Sequence, residues 1–117
     1  MPWTVEVDEA FAPELKAFDE PVRFEIAALV GLLRKYGPQL GRPYADTLYD
    51  STFNNMKELR CDVEKQVWRV AFAFDPERNA ILLTAGDKRG KDQKRFYKRL
   101  IKTADERFLA HLARLKQ

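Results

Sequence analysis

The stretch "QVWRVAFAFDPERNAILLTA", from Gln66 to Ala85, decides the fold. Successive side chains of a strand point to opposite faces. Gln66 to Asp75 therefore reads as a strand with Trp68, Val70, Phe72 and Phe74 on one face and Arg69, Ala71 and Ala73 on the other. "DPERN" (Asp75 to Asn79) has turn composition, and "AILLTA" (Ala80 to Ala85) is a second strand. The bulky face predicts packing under helices. The small face carries one large polar group, Arg69, and reads as an open alanine floor with room for a ligand.

Upstream, "MKELRC" (Met56 to Cys61) is a third strand, with Leu59 and Cys61 inward and Glu58 and Arg60 on the other face. Antiparallel pairing through "DVEKQ", matching inward with inward, sets Cys61 opposite Trp68 and Leu59 opposite Val70, and so Arg60 opposite Arg69; a slip of two residues would keep both arginines on the open face but separate them. Like charges directly opposite each other disfavour a pairing by a few tenths of a kcal/mol or more, a value taken from cross-strand pairs generally. Either a bound anion offsets this repulsion or a carboxylate such as Glu58 does.

Further out, "WTVEV" (Trp3 to Val7) alternates as a short strand. From Glu9 to Tyr36 the apolar spacing is helical, through Phe11, Leu15, Phe18, Val22, Ile26, Leu29, Val30 and Leu33. "DEP" at Asp19 to Pro21 splits it into two helices, because Pro suits a helix start and not its middle. Gly37 and Pro38 close the second helix. "GPQLGRPYADTLYDSTFNN" (Gly37 to Asn55) reads as a loop. A last helix runs from about Asp92 to near the C-terminus, on a stripe of Tyr97, Leu100, Ile101, Ala104, Phe108, Leu112 and Leu115. The predicted order is β-α-α-β-β-β-α in one domain, residues 1–117.

Composition narrows the function. The chain has 117 residues, 33% of them charged and 45% apolar, ordinary for a soluble domain. Its longest apolar run, Ile26 to Leu33, falls far short of the roughly 20 residues a membrane span needs. No signal-peptide pattern opens the sequence, and the expected location is the cytoplasm. The lone Cys61 excludes an intramolecular disulfide and reads as a small core residue. His111, the only histidine, lies away from the basic stretch and is not expected to act in catalysis. No phosphate-binding glycine loop, metal-ligand cluster or Ser-His pair is present, so neither cofactor nor metal is expected.

The charge is uneven. Net charge is +3, yet Gly86 to Gln117 holds eleven Lys and Arg against four Asp and Glu, while Met1 to Ala85 holds ten against fourteen. Seven of the fifteen residues in "GDKRGKDQKRFYKRL" (Gly86 to Leu100) are Lys or Arg, with Phe96 and Tyr97 among them. Cations at a helix N-terminus oppose the macrodipole. Their clustering there points to phosphate binding on a polyanion, with a solvated helix start as the plainer alternative.

"MKELRC", "VWRVAFAFDPERNAILLTAGDK" and "KRFYKRLI", with "LGRPYADTL" in the loop, resemble the phage-derived, HigB-like branch of the RelE/HigB toxin superfamily. The resemblance implies an α+β, RelE-like fold: a curved antiparallel sheet, two N-terminal helices and a C-terminal helix, with helices packed on one side. It implies a type II toxin–antitoxin toxin that cleaves mRNA at the ribosome, a helix-turn-helix, HigA-like antitoxin as partner, no membrane partner and a monomeric free toxin. Carried over, Arg60, Arg69 and Lys88 are the basic catalytic positions and Tyr97 the aromatic one, with Lys91 and Lys94 as alternatives for the lysine. Lys57, Arg89, Lys91, Lys94, Arg95, Phe96 and Lys98 are assigned to binding RNA. No histidine lies in the central strands or the Gly-Asp-Lys turn, so the histidine acid/base of other branches has no counterpart here. An inert RNA- or antitoxin-binding module of the same fold is the alternative, and a DNA-binding regulator a more distant one.

Overall fold

The computed structural model describes residues 2–117. Its elements are β1 (Thr4–Val7), α1 (Ala12–Ala17), α2 (Glu20–Tyr36), β2 (Ala45–Thr47), β3 (Lys57–Val63), β4 (Gln66–Phe74), β5 (Asn79–Asp87) and α3 (Gln93–Leu115). The strands form one sheet in the order β1-β5-β4-β3-β2.

The central hairpins follow from alternation. β3 and β4 pair antiparallel with Leu59 opposite Val70, Arg60 opposite Arg69 and Cys61 opposite Trp68, the predicted register. Glu64, at φ 57, makes the tight turn between them. β4 and β5 pair antiparallel across the Asp75–Asn79 turn, with a bulge between Ala71 and Phe72. Asp75 builds that turn, its Oδ1 accepting from the Glu77 N–H at 3.0 Å and the Asn79 N–H at 2.9 Å.

Two features of the sheet differ from the sequence reading. β1 pairs parallel with β5, so the sheet is mixed rather than wholly antiparallel. The Gly37–Asn55 stretch is not all loop, because Ala45–Thr47 pairs antiparallel with Leu59–Lys57 as an edge strand. Three residues between Pro43 and a run of polar residues carry too little alternation to be seen in advance.

The α2 face is as read. Val22, Ile26, Leu29 and Leu33 of α2 bury against Leu59, Val70, Phe72 and Leu82, with Trp68 and Cys61 at the margin. Gly37 closes α2 at φ 58, and a Cβ there would lie 2.3 Å from the Trp3 indole nitrogen, so only glycine fits.

The opposite face corrects the expectation of helices on one side only. α3 lies across it, packing Leu100, Ile101, Ala104 and Phe108 on Ala71, Ala73, Ile81 and Leu83. Ala71 and Ala73 are 0% exposed. The alanine floor is thus a helix seat and not a ligand shelf. Small side chains let the α3 backbone approach, and the apolar stripe of α3 had no other face to bury against once α1 and α2 held the first. Among the described residues, the β3 end of this face lies beyond the start of α3 and is left uncovered by it.

Candidate functional site

The open end is where Arg60 and Arg69 face each other. Both lie on the α3 side of the sheet, with Glu58 two residues before Arg60 on the same side. β5 continues the ladder one step further, the Lys88 N–H donating to the Val67 carbonyl at 2.8 Å. Asp87 clamps this turn, its Oδ1 accepting from the N–H of Val67 at 2.9 Å and of Arg89 at 3.0 Å. Lys88 is thereby brought to the face that carries Arg69.

α3 supplies the fourth member. Asp92 caps it, accepting from the Arg95 N–H at 3.0 Å. The carboxylate offsets the adverse alignment of the surrounding cations with the helix dipole. Phe96 lies over Gly86, where a Cβ would come within 3.0 Å of its ring. Phe96 in turn packs edge-on against Tyr97, with centroids 5.3 Å apart. This stacking delivers the Tyr97 hydroxyl to Arg69, whose Nε donates to it at 3.3 Å. The Lys88 Nζ lies 5.8 Å from the Tyr97 ring centroid.

Arg69 is not the solvated residue of a plain surface strand. It is 5% exposed, and its Nη1 donates to the Trp68 carbonyl at 2.9 Å. With Nε and Nη1 so held, Nη2 makes no hydrogen bond to the chain among the described residues. Arg60 donates through Nη1 to Glu58 Oε2 at 2.8 Å. Glu58 Oε1 stands 3.8 Å from Arg69 Nε. The carboxylate therefore lies between the two guanidiniums and relieves the repulsion their register creates.

The environment separates the titrating groups. Burial, and then the charges of Arg69 and Arg60, hold the Lys88 ammonium below its ordinary value. Burial, and then the Glu58 carboxylate, push the Tyr97 phenol up. Burial likewise pushes the Cys61 thiol up to about 11, so it stays protonated and is a poor nucleophile.

The other assigned residues divide. Lys91, Arg95 and Phe96, joined by Arg99, line a groove of about 430 Å³ between the end of β5 and α3. Lys94 and Lys98 are exposed on the first turns of α3. Arg89 faces a different groove, beside Asp19 and Glu64. Lys57 is on the opposite face of the sheet, its ammonium donating to the Pro38 carbonyl at 3.1 Å. His111 sits toward the far end of α3, its Nε2 2.8 Å from Asp75 Oδ2. Among the described residues no group of three or more His, Cys, Asp and Glu gathers as a metal site would require.

Three residues at the cluster were not assigned to the site by sequence reasoning, Glu58 having been offered only as a charge partner for the arginines. A groove of about 510 Å³ opens beside Arg60 and Arg69 and is also lined by Arg42 and Tyr44. Tyr44 is held there by its carbonyl, which accepts from the Arg60 N–H at 2.8 Å. Glu58 is the third. Alternation placed it on the right face, but its burial depends on α3.

A mixed sheet with two helices on one face, a long helix on the other and opposed arginines at the open end makes this an α+β protein, and its relatives place it in the RelE/HigB superfamily. Within it, the chain belongs to the family described as phage derived protein Gp49-like (DUF891), whose model matches residues 13–109. Two relatives from Mycobacterium tuberculosis are named as candidate toxins. The chain is 40% identical to HigB2 over 115 residues, covering 97% of itself and 56% of that protein. It is 46% identical to HigB3 over 91 residues, covering 78% of itself and 77% of that protein. The chain thus spans little more than half the length of HigB2. In fold it is similar to a free-state variant of the Escherichia coli toxin RelE, with a TM-score of 0.58 at 12% identity over 86% of this chain and 95% of that one. It is also similar to a chain of the RelE–RelB complex from Pyrococcus horikoshii, with a TM-score of 0.56 at 12% identity over 77% and 99%. No helix among the described residues is long and apolar enough to cross a membrane.

Proposed function

We propose that this chain is the toxin of a type II toxin–antitoxin system, an endoribonuclease that cleaves mRNA on the ribosome and is silenced by a helix-turn-helix antitoxin. The observation that carries the reading is the convergence of Arg60, Arg69, Lys88 and Tyr97 at the open end of the sheet. The names of the two mycobacterial relatives support a toxin, and the RelE–RelB complex supports an antitoxin partner.

The chemistry follows from the groups present. The ribose 2′-OH attacks the adjacent phosphorus, the P–O5′ bond breaks, and a 2′,3′-cyclic phosphate and a 5′-OH result. Lys88, held below its ordinary value, takes the 2′-OH proton as general base. Tyr97, held protonated, gives its proton to the departing O5′. Arg60 and Arg69 bind the non-bridging oxygens, whose charge grows as phosphorus becomes pentacoordinate. Lys91, Arg95 and the neighbouring exposed cations track the RNA backbone.

The test is mRNA cleavage in a purified translation system, wild type beside Arg69→Ala, with and without ribosomes. Cleavage only with ribosomes, lost in the variant, supports the reading. Undiminished cleavage by the variant removes Arg69 from its centre. The second reading, an inert binding module, is favoured by Glu58, which already offsets the arginine pair without a ligand. Absence of cleavage and of growth arrest on expression would establish that reading instead.

A further inference from the structure

Glu58 is a carboxylate where an anionic phosphate is to bind. It is 3% exposed, and its Oε1 is a buried oxygen with no hydrogen-bond partner. A buried acceptor left unpaired is costly, and a carboxylate beside a phosphate repels it. Relief of the Arg60–Arg69 repulsion accounts for a carboxylate here but not for an oxygen left without a partner, and phosphate affinity does not select it. We infer that Glu58 is a positioning residue for the proposed cleavage, its buried carboxylate fixing the Arg60 guanidinium across from Arg69 and offering a free acceptor beside the Arg69–Tyr97 pair. The inference rests on the endoribonuclease reading and extends it to a residue that reading does not use.

Three features of the site support it. The Arg60–Glu58 contact, Nη1 to Oε2 at 2.8 Å, is the one hydrogen bond recorded for the Arg60 side chain among the described residues. Without it the partly exposed guanidinium, in the middle of β3, faces a second guanidinium across the ladder. Second, hydrogen-bond direction matters at Tyr97. Arg69 Nε donates to the phenolic oxygen, which leaves the phenolic proton for an acceptor. Glu58 Oε1, unpaired, stands 3.8 Å from the Arg69 Nε that donates to that hydroxyl. The carboxylate is thus a free acceptor beside the group whose proton the leaving O5′ is to receive.

Third, the charges balance with Glu58 included. With Lys88 neutral, Arg60, Arg69 and Glu58 sum to one positive charge, against the single negative charge of a phosphodiester. When Lys88 takes the 2′-OH proton the sum becomes two, against a dianionic pentacoordinate phosphate. Without Glu58 the free site is one charge too positive in each state. That surplus would hold the monoanionic substrate and the cyclic phosphodiester product more tightly.

The test uses Glu58→Gln, which keeps shape and an acceptor for Arg60 while removing the charge, and Glu58→Ala, which removes both. Single-turnover mRNA cleavage on ribosomes is measured alongside the titration of Tyr97, followed by NMR of protein carrying ring-labelled tyrosine. The expected result is a Glu58→Gln protein that folds and binds substrate with KM at or below that of wild type. Its cleavage step falls about 10- to 100-fold, the scale of misplaced catalytic groups. Its Tyr97 titrates at lower pH than in wild type, because burial remains and the carboxylate does not. A folded Glu58→Gln protein with wild-type kcat, or with Tyr97 titrating unchanged, overturns the inference. Should wild type itself not cleave, the endoribonuclease reading fails and the titration alone decides whether Glu58 acts on the Tyr97 hydroxyl. If Glu58→Ala unfolds, Glu58→Gln still supplies every readout.

Discussion

α3 meets a buried carboxylate near each of its ends, and the two are handled differently. Near the C-terminal end, Asp75 is saturated. Its Oδ1 accepts from two backbone N–H groups and its Oδ2 pairs with His111. Near the N-terminal end, Glu58 has one oxygen on Arg60 and one on nothing. Asp75 has every acceptor satisfied and a fully buried side chain, which is how a structural lock is built. Glu58 sits in an unfinished network that opens to a groove, as a site awaiting a ligand would. The two ends of one helix thus separate holding the fold from presenting chemistry.

That contrast can be broken from either side. The largest expected effect is Arg69→Ala. Loss of a guanidinium at the scissile phosphate should lower cleavage by about 10³-fold or more, on the scale of oxyanion-stabilising groups, with ribosome binding retained. Quenched single-turnover assays measure it. If Arg69→Ala cleaves normally, the open end is no more chemical than the closed one.

Next is Asp75→Ala. It strips two turn N–H groups and His111 of their partner and should lower unfolding stability by about 2–4 kcal/mol, given the cost of unpaired buried polar groups. Urea denaturation measures the loss. Cleavage by the folded fraction should be unchanged. A large fall in kcat at constant folded fraction would join the two ends functionally and dissolve the comparison.

The smallest effect is in pH dependence. The folded Lys88 titrates below its ordinary 10.5. Between its folded value and 10.5 the unfolded chain therefore binds more protons than the folded one. Stability contributed by Lys88 accordingly rises as pH climbs through that window. Tyr97, raised in the fold, acts oppositely and withdraws stability as pH passes its ordinary 10.0. Lys88→Met should flatten the rise in melting temperature on approaching pH 10, whereas Asp75→Asn should keep the wild-type slope. The same substitution should remove the alkaline-rising limb of the cleavage profile.

Legibility in the sequence followed the same division. Alternation put Arg60 and Arg69 on one face but left a two-residue slip open; the tight turn at Glu64 and Lys65 sets their direct opposition. The α3 stripe was equally plain. The side it covers was not, since Ala71 and Ala73 describe a ligand floor and a helix seat in the same letters. Once α3 is seated there, Arg69 turns from an exposed residue into an anchored one and Glu58 into a buried one. Neither change has a local signal. Lys57 was the avoidable misgrouping: it shares parity with inward-facing Leu59, so alternation already set it apart from Arg60. β2 and the parallel pairing of β1 arise from contacts distant in sequence and left no pattern to read.

Gly86 has no functional group, yet the proposed site hangs on it. A methyl group there would press on Phe96, which packs on Tyr97, whose hydroxyl lies at the outer margin of a hydrogen bond with Arg69. A displacement of a few tenths of an ångström at one end of this chain of contacts would disengage the other. In a genetic selection for cells that survive expression of this protein, escape mutations should therefore fall on Gly86 as well as on the charged residues. Such survivors would accumulate a folded, harmless protein, whereas nonsense and frameshift escapes would leave none.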